Sequence, residues 1–262
     1  MSAEEKNEAL NMLFTENNVD QNKNQDYKYS FQEFDLPEKY YLLEMYNKQK
    51  ELQQFLADKG KTETFPNIVT DVIQPNVQLA IYHLFCMQIE FQELKVELQK
   101  LTEQPQDNNL NTIDARYELI DMFFFMFNVG IYTGLDIMAV VNKIEEYIKT
   151  FANTPIEQWL DVKYITSAIE NLMNYIDKLP WKAWKDYDLA NYNFTSPNII
   201  EYYSLALYDM VIYAKFAFKE TNKSLFDLYM NKWIENKRRQ EDINSGYVLT
   251  ENIENHSQED IN

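Results

Sequence analysis

Apolar residues recur at intervals of three and four along most of this chain, which is the spacing of an amphipathic α-helix. Polar segments such as EQPQDNN at 103–109 and GIYTGLD at 130–136 interrupt the pattern, and helices are expected to end there. The pattern predicts helices over the following approximate ranges: 35–59, 75–101, 113–131, 136–152, 154–179, 197–220 and 223–240.

Capping signals and glycine usage support an all-α fold. Asp35 with Glu38 forms one capping box, Thr154 with Glu157 forms another, and Gly60 is expected to end the first helix. The 4 glycines in 262 residues cannot supply the turns of a many-stranded protein or a glycine-rich phosphate loop. The predicted fold is therefore all-α, a helical bundle.

The two ends of the chain lack helical periodicity. Residues 1–34 are mostly polar and are predicted to form a mobile arm, with one short helix near 10–14. Residues 248–262 are predicted to form an acidic, disordered tail. A single domain is therefore expected over residues 35–247.

Composition excludes several classes of function. A net charge of −18 disfavours binding to nucleic acid or to an anionic membrane, because both need a basic surface. One cysteine, Cys86, excludes an intramolecular disulfide, and neither a signal peptide nor a long uncharged apolar segment is present. We expect a cytoplasmic protein. An Asn-, Lys- and Tyr-rich chain is typical of AT-rich genomes, including those of phages, so the cytoplasm could be that of a host.

Acidic residues are stacked on two of the predicted helices. Glu90, Glu93 and Glu97 share one helical face although like charges at these spacings repel. Glu118 and Asp121 are three residues apart on the next helix, beside Phe and Met residues. Consecutive helices joined by a short loop tend to pack antiparallel, so the two acidic faces can meet inside the bundle.

Four converging carboxylates would need a cation to remain ionised in a groove of low dielectric constant. Hard oxygen ligands favour Mg²⁺ or Mn²⁺, so Glu90, Glu93, Glu118 and Asp121 are predicted metal ligands. Glu97 is a candidate outer partner of the site. The alternative interpretation is that these acids form solvated helix faces, which is the usual role of a Glu-x-x-Glu pair.

The order of these motifs resembles that of a known family. The pattern E90-x-x-E93, 24 intervening residues and E118-x-x-D121 is similar to the signature of the all-α nucleoside triphosphate pyrophosphohydrolases, above all the dimeric dUTPases. MYNKQKELQQFL at 45–56 is similar to the first helix of that family, which implies that Gln49 contributes to a pyrimidine pocket. The resemblance covers roughly residues 36–247.

A segment near the C-terminus resembles the closing motif of the same family. In KWIENKRRQEDINSGY the resemblance implies substrate-binding roles for Lys232, Asn236, Arg239 and Tyr247, with Gln240 and Gly246 also matching. Lys232, Asn236 and Arg239 share one helical face, and such a row suits triphosphate oxygens. The alternative is a basic last turn that complements the helix dipole.

The sequence also departs from the family pattern. The family carries W-K-x-W-K soon after its first acidic motif, but here WKAWK occurs at 181–185, where Trp181 and Trp184 could equally be packing residues. Before it, IENLMNYID places Asn171 and Asn174 at the two Glu positions of a second acidic motif. In ALYDMVIYA, Ala206 then corresponds to Glu118, and Asp209 corresponds to Asp121. We interpret these segments as a degenerate internal repeat without a metal site.

The resemblance implies Mg²⁺-dependent hydrolysis of dUTP to dUMP and pyrophosphate by a homodimer. Glu93 is the candidate base or water-positioning residue, and Phe124 or Phe125 could wall the uracil pocket or belong to the core. A related enzyme acting on dCTP or on several nucleotides is one alternative. A catalytically inactive family member that binds a partner protein is another.

Overall fold

A computed structural model describes residues 38–59, 77–103, 113–151, 163–180, 182, 193, 196–218 and 220–241. Within these ranges the chain forms seven α-helices and no strand, so the predicted all-α fold is confirmed. The helices are α1 (Glu38–Asp58), α2 (Val77–Glu103), α3 (Ile113–Tyr132), α4 (Ile137–Phe151), α5 (Lys163–Asp177), α6 (Pro197–Ala217) and α7 (Asn222–Glu241). None of these helices has the length and apolar content needed to cross a bilayer.

Several sequence predictions lie outside the described residues. They concern the arm 1–34 with its short helix, the tail 248–262, Asp35, Gly60, Thr154, Glu157, Trp181, Trp184, Gly246 and Tyr247. Within the described residues, predicted and observed boundaries agree closely: α3 is predicted at 113–131 and α4 at 136–152. Ser196 precedes α6 in extended conformation and Pro197 opens the helix, as their sequence predicts.

Two glycines shape the region where α3 ends. Gly134 has a φ of 67°, and its amide donates to the Ile131 carbonyl over 3.2 Å. The Leu135 amide donates to the Gly130 carbonyl over 2.9 Å, which completes a Schellman-type helix end. At Gly130 a Cβ atom would lie 2.9 Å from the Tyr203 hydroxyl oxygen, so glycine permits the close approach of α6.

Helix α3 lies at the centre of the bundle. Of its 20 residues 13 are buried, and it packs along α2 while also contacting α1, α6 and α7. Helices α5 and α6 form a second pair that packs along its length, as α2 and α3 do. Helix α7 packs on α1 and reaches α3. Helix α3 is therefore in contact with both α2 and α7.

Candidate metal centre and phosphate-binding face

Three of the predicted metal ligands come together between α2 and α3. One carboxylate oxygen from each of Glu90, Glu118 and Asp121 lies within 4.8 Å of the other two, and all three residues are half-buried. Carboxylate oxygens at this spacing are ligands suited to a hard divalent cation. These three residues, called the carboxylate cluster below, could hold a metal ion.

Apolar packing on both helices positions the carboxylate cluster. On α2, Glu90 lies between Met87 and Leu94, which are both fully buried and face the core. On α3, Leu119 and Met122 alternate with the two acids and are also fully buried. Because these four apolar side chains fix the rotation of each helix, the acids are held at the edge of the α2–α3 contact.

Burial and mutual repulsion both raise pKa values within the carboxylate cluster. Burial, followed by the charges of Asp121, Glu93 and Glu118, raises the pKa of Glu90 to about 8. Burial and the charges of Asp121 and Glu93 also raise the pKa of Glu118. A hydrogen bond between the two carboxyl groups contributes to the raised pKa of Glu90 and opposes the rise in the pKa of Glu118. Positive charge close to these carboxyl groups would therefore favour their ionised forms.

A lysine from α7 supplies positive charge to the third acid. Lys232 Nζ lies 2.8 Å from Asp121 Oδ2 and 5.2 Å from the centre of the Tyr117 ring. Burial raises the pKa of Asp121, and the ammonium of Lys232 opposes that shift. Burial alone would lower the pKa of Lys232, but the attraction of Asp121 outweighs it and leaves the pKa raised. A predicted phosphate ligand and a predicted metal ligand are therefore in direct contact.

The other predicted phosphate ligands lie further along α7. Arg239 forms an ion pair with Glu235, one turn earlier, and its charge also opposes the raised pKa of Asp121. Asn236 is half-buried on the same helix. Lys232 and Arg239 therefore both act electrostatically on Asp121, while Tyr247 lies outside the described residues.

Glu93 and Glu97 do not belong to the carboxylate cluster. Glu93 is exposed, and its carboxylate is not among the three that converge, although its charge raises the pKa of Glu90 and Glu118. Glu97 pairs with Lys100 over 2.8 Å at the helix surface. Glu93 therefore borders the cluster. Glu97 pairs with Lys100, and this contact does not support the outer role predicted for it.

The predicted pocket residues lie deeper in the bundle. Gln49 is 2% exposed and donates from Nε2 to Asn128 Oδ1 over 2.8 Å. Phe124 is buried and stacks on Tyr229, with ring centres 4.5 Å apart, whereas Phe125 is half-buried. Phe124 is thus a core residue, and Phe125 is the better candidate for a pocket wall.

The proposed second repeat has a polar contact at the corresponding place between α5 and α6. Asp209 Oδ2 accepts hydrogen bonds from Ser167 Oγ over 2.8 Å and from Asn171 Nδ2 over 3.4 Å. Ala206 is fully buried and Asn174 is exposed. Asn171 and Asp209, which correspond to Glu90 and Asp121 in the proposed repeat, are therefore in contact. This second contact contains one carboxylate.

Sequence reasoning missed the polar side chains that contact the predicted site residues. Tyr117 lies beneath the ammonium of Lys232, and Tyr229 donates to Gln49 Oε1 over 3.2 Å. Asn128 could have been singled out, because it is a lone amide in the apolar segment MFFFMFNVGIY of α3. A polar residue in such a segment usually has a buried hydrogen-bond partner.

Comparison of the chain with family models, with curated proteins and with solved structures gave no match.

Proposed function

We propose that this protein is a divalent-metal-dependent nucleoside triphosphate pyrophosphohydrolase that converts dUTP to dUMP and pyrophosphate. The observation that supports this most strongly is the contact between Asp121 of the carboxylate cluster and Lys232 of the basic helix face. A candidate cation ligand lies next to a candidate phosphate-binding lysine. This arrangement suits a nucleoside triphosphate, which binds together with a metal ion.

Mg²⁺ is the cation that we propose for the carboxylate cluster, with Mn²⁺ as a substitute. The donors are three carboxylates, without imidazole or thiolate, which fits these hard ions. The ion would be held by Glu90, Glu118 and Asp121 and would supply charge neutralisation for the phosphates and activation of the attacking water.

The remaining steps fall to residues around the carboxylate cluster. Glu93, exposed at the border of the cluster, accepts the proton of the water that attacks the α-phosphate. The bond from the α-phosphorus to the bridging oxygen breaks, and pyrophosphate leaves. Lys232 and Arg239 stabilise the negative charge that develops on the leaving group. Gln49 contributes to the pocket for the base.

We further propose that the protein is a homodimer. Tyr82, Phe85, Ile89 and Val96 are between 43% and 59% exposed, and their spacing puts them on one face of α2. This α2 apolar stripe lies on the helix that carries Glu90 and Glu93, so a second subunit would cover a surface next to the cluster. An exposed apolar surface of this kind commonly marks an interface.

Pyrophosphate release tests the proposal directly. The full chain is assayed with dUTP, dCTP, dTTP, dATP and dGTP, each with and without Mg²⁺. We expect Mg²⁺-dependent release with dUTP as the preferred substrate. Preference for dCTP, or equal rates with several nucleotides, would move the assignment to a related pyrophosphohydrolase. Absence of release with every nucleotide would contradict an enzymatic function and favour a partner-binding protein.

A further inference from the structure

Helix α2 is apolar on two opposite faces. Its inner face carries three fully buried residues spaced seven apart, which are Ala80, Met87 and Leu94. Its outer face carries Tyr82, Ile89 and Val96, which are also spaced seven apart but are 53%, 43% and 52% exposed. The two rows are offset by two residues, or about 200° around the helix, so the outer row points away from the core. A helix that is apolar all round is normally covered all round.

The outer face follows the a and d positions of a coiled-coil heptad. With Tyr82 at position a, Phe85 falls at d, Ile89 at the next a, and Val96 at the a after that. Gln92 occupies the d position between the last two and is also exposed. These five residues, called the heptad seam below, extend over about 21 Å of helix. A repeat of seven keeps such a seam facing one partner helix along its whole length.

The surroundings of the heptad seam also fit a helix–helix contact. The nearest charged residues, Glu93 and Lys95, are exposed and fall at positions e and g, where charges flank a coiled-coil seam without entering it. On the other side, Met173 of α5 is 50% exposed, and its Sδ lies 3.9 Å from Gln88 Nε2. The uncharged surface is therefore wider than α2 alone.

The heptad seam is large enough for a stable interface between two copies. Tyr82 and Phe85 are each more than half exposed, as is Val96, and Ile89 and Met173 are nearly so. Since a buried aromatic side chain covers about 150 to 250 Å², these five residues on two subunits present about 1,000 Å² of apolar surface. A specific interface buries roughly 1,000 Å² or more in total.

We propose that a second copy of this chain covers the heptad seam, so that the α2 helices of two subunits pack against each other. This inference rests on the homodimer proposed above and is independent of the enzymatic activity. A two-fold contact needs a patch that complements itself, and a seam of evenly spaced, uncharged residues meets that condition. Two copies with a net charge of −18 each also approach most easily through an uncharged surface.

Gln92→Leu tests the heptad register by strengthening the pair. The substitution replaces the polar residue of the seam with leucine, which suits position d, whereas a polar residue inside a seam costs stability. The dimer dissociation constant should fall about tenfold or more. Sedimentation equilibrium without metal or nucleotide measures it. Asn142→Leu makes the same kind of change at an exposed position of α4 and should leave the constant unchanged.

Ile89→Asp tests the same seam by weakening the pair. The new carboxylate would lose water at the centre of the contact, so the dissociation constant should rise about a hundredfold or more. Met138→Asp, at a residue of α4 that is 46% exposed, is the matched control and should have no effect. A melting curve shows whether each variant folds. If Ile89→Asp does not fold, Gln92→Leu decides the question.

The outcomes separate the pairing of α2 from the homodimer on which it rests. A wild-type dimer whose dissociation constant is unchanged in Gln92→Leu, or in folded Ile89→Asp, pairs through another surface, which would overturn the inference alone. A wild-type protein that is monomeric at micromolar concentration would overturn the homodimer and the inference together, and would assign the heptad seam to a different protein. Neither result depends on whether the protein hydrolyses a nucleotide.

Discussion

The ammonium of Lys232 lies 2.8 Å from the carboxylate of Asp121, which joins α7 to the acidic face of α3. The two side chains are 15% and 19% exposed, so water screens their attraction less than it would at the surface. Lys232 thus supplies positive charge to one member of the carboxylate cluster, and under the proposed function it also binds the phosphates of the nucleotide. Metal binding and nucleotide binding are therefore expected to be coupled through this lysine.

Lys232→Gln should have opposite effects on the two ligands. Without nucleotide, the cluster loses a competing positive charge, so Mg²⁺ or Mn²⁺ should bind several-fold more tightly. Nucleotide should bind roughly 10- to 150-fold more weakly, because a charge-assisted bond worth about 1.5 to 3 kcal/mol is lost. Calorimetric titration with Mn²⁺ alone, and then with a non-hydrolysable α,β-imido analogue of dUTP in its presence, measures both effects.

Lys223→Gln is the matched control for that experiment. Lys223 lies on the same helix and pairs with Asp227 over 2.9 Å, but it has no contact with the carboxylate cluster. It should leave both affinities unchanged. Equal effects of the two substitutions would show that Lys232 acts only through general charge or helix stability.

Arg239→Ala should weaken nucleotide binding without unfolding the protein. Arg239 is 39% exposed, and its ion pair with Glu235 spans one helical turn, so the stability change should be below about 0.5 kcal/mol. Loss of a phosphate contact should cost about 1.5 to 3 kcal/mol of binding. KM for dUTP and a melting curve report the two quantities.

The neighbouring Arg238→Ala serves as the control for Arg239→Ala. Arg238 is exposed on a different face of α7 and carries the same charge. If both substitutions raise KM equally, the effect is one of net charge, and the specific role of Arg239 is wrong.

The fold and the acidic pairs could be predicted because they depend on local spacing. A period near 3.6 residues identified the helices, and Pro197 and the 130–136 segment marked boundaries that the structure reproduces. The three-residue spacing of Glu118 and Asp121 placed both on one face of α3 before any packing was known.

The membership of the cluster could not be predicted in full, since it depends on how helices pack. Glu90 and Glu93 are less than one turn apart, yet only Glu90 lies in the α2–α3 contact, because Met87 and Leu94 set the rotation of α2. Lys232 and Asp121 are distant in sequence, so no local sequence pattern predicts their contact.

Asp209→Asn should stabilise the protein at neutral pH. Burial raises the pKa of Asp209 to about 6, although hydrogen bonds from Ser167 and Asn171 oppose the shift. An asparagine oxygen can accept the same two bonds without carrying charge. The folded carboxylate therefore carries a penalty of about 2 to 3 kcal/mol that the variant lacks.

The pH dependence follows from the sign of that shift. The folded state binds the Asp209 proton more tightly than the unfolded state, whose pKa is about 3.9. The penalty is therefore absent below about pH 4, grows towards pH 6 and is complete above it. Urea unfolding of both proteins at pH 4 and pH 7 should show a difference only at pH 7. A difference of the same size at both pH values would rule out titration of Asp209 as its cause.

Phe85→Glu should dissociate the proposed homodimer. Phe85 is 59% exposed in the α2 apolar stripe, and a carboxylate there would be buried by the second subunit at high cost. Light scattering at micromolar concentration should show a dimer for wild type and a monomer for the variant. Met138→Glu, on the exposed face of α4, is the control and should remain dimeric. A wild-type protein that is monomeric at this concentration would contradict the proposed homodimer.

Glu118→Gln addresses the carboxylate cluster itself. The substitution keeps shape and hydrogen bonding but removes one of the charges that repel within the cluster. Without metal, the variant should be as stable as wild type or more stable. Glu97→Gln, which removes a half-buried charge paired with Lys100 on α2, is the matched control.

Melting curves of wild type and Glu118→Gln, each with and without Mg²⁺, test the central claim most directly. Mg²⁺ should raise the melting temperature of wild type and of Glu97→Gln, with a stabilisation of about 2.7 kcal/mol at a hundred times its Kd. It should have little effect on Glu118→Gln. A wild-type protein that gains nothing from millimolar Mg²⁺, even with nucleotide present, would contradict the metal centre.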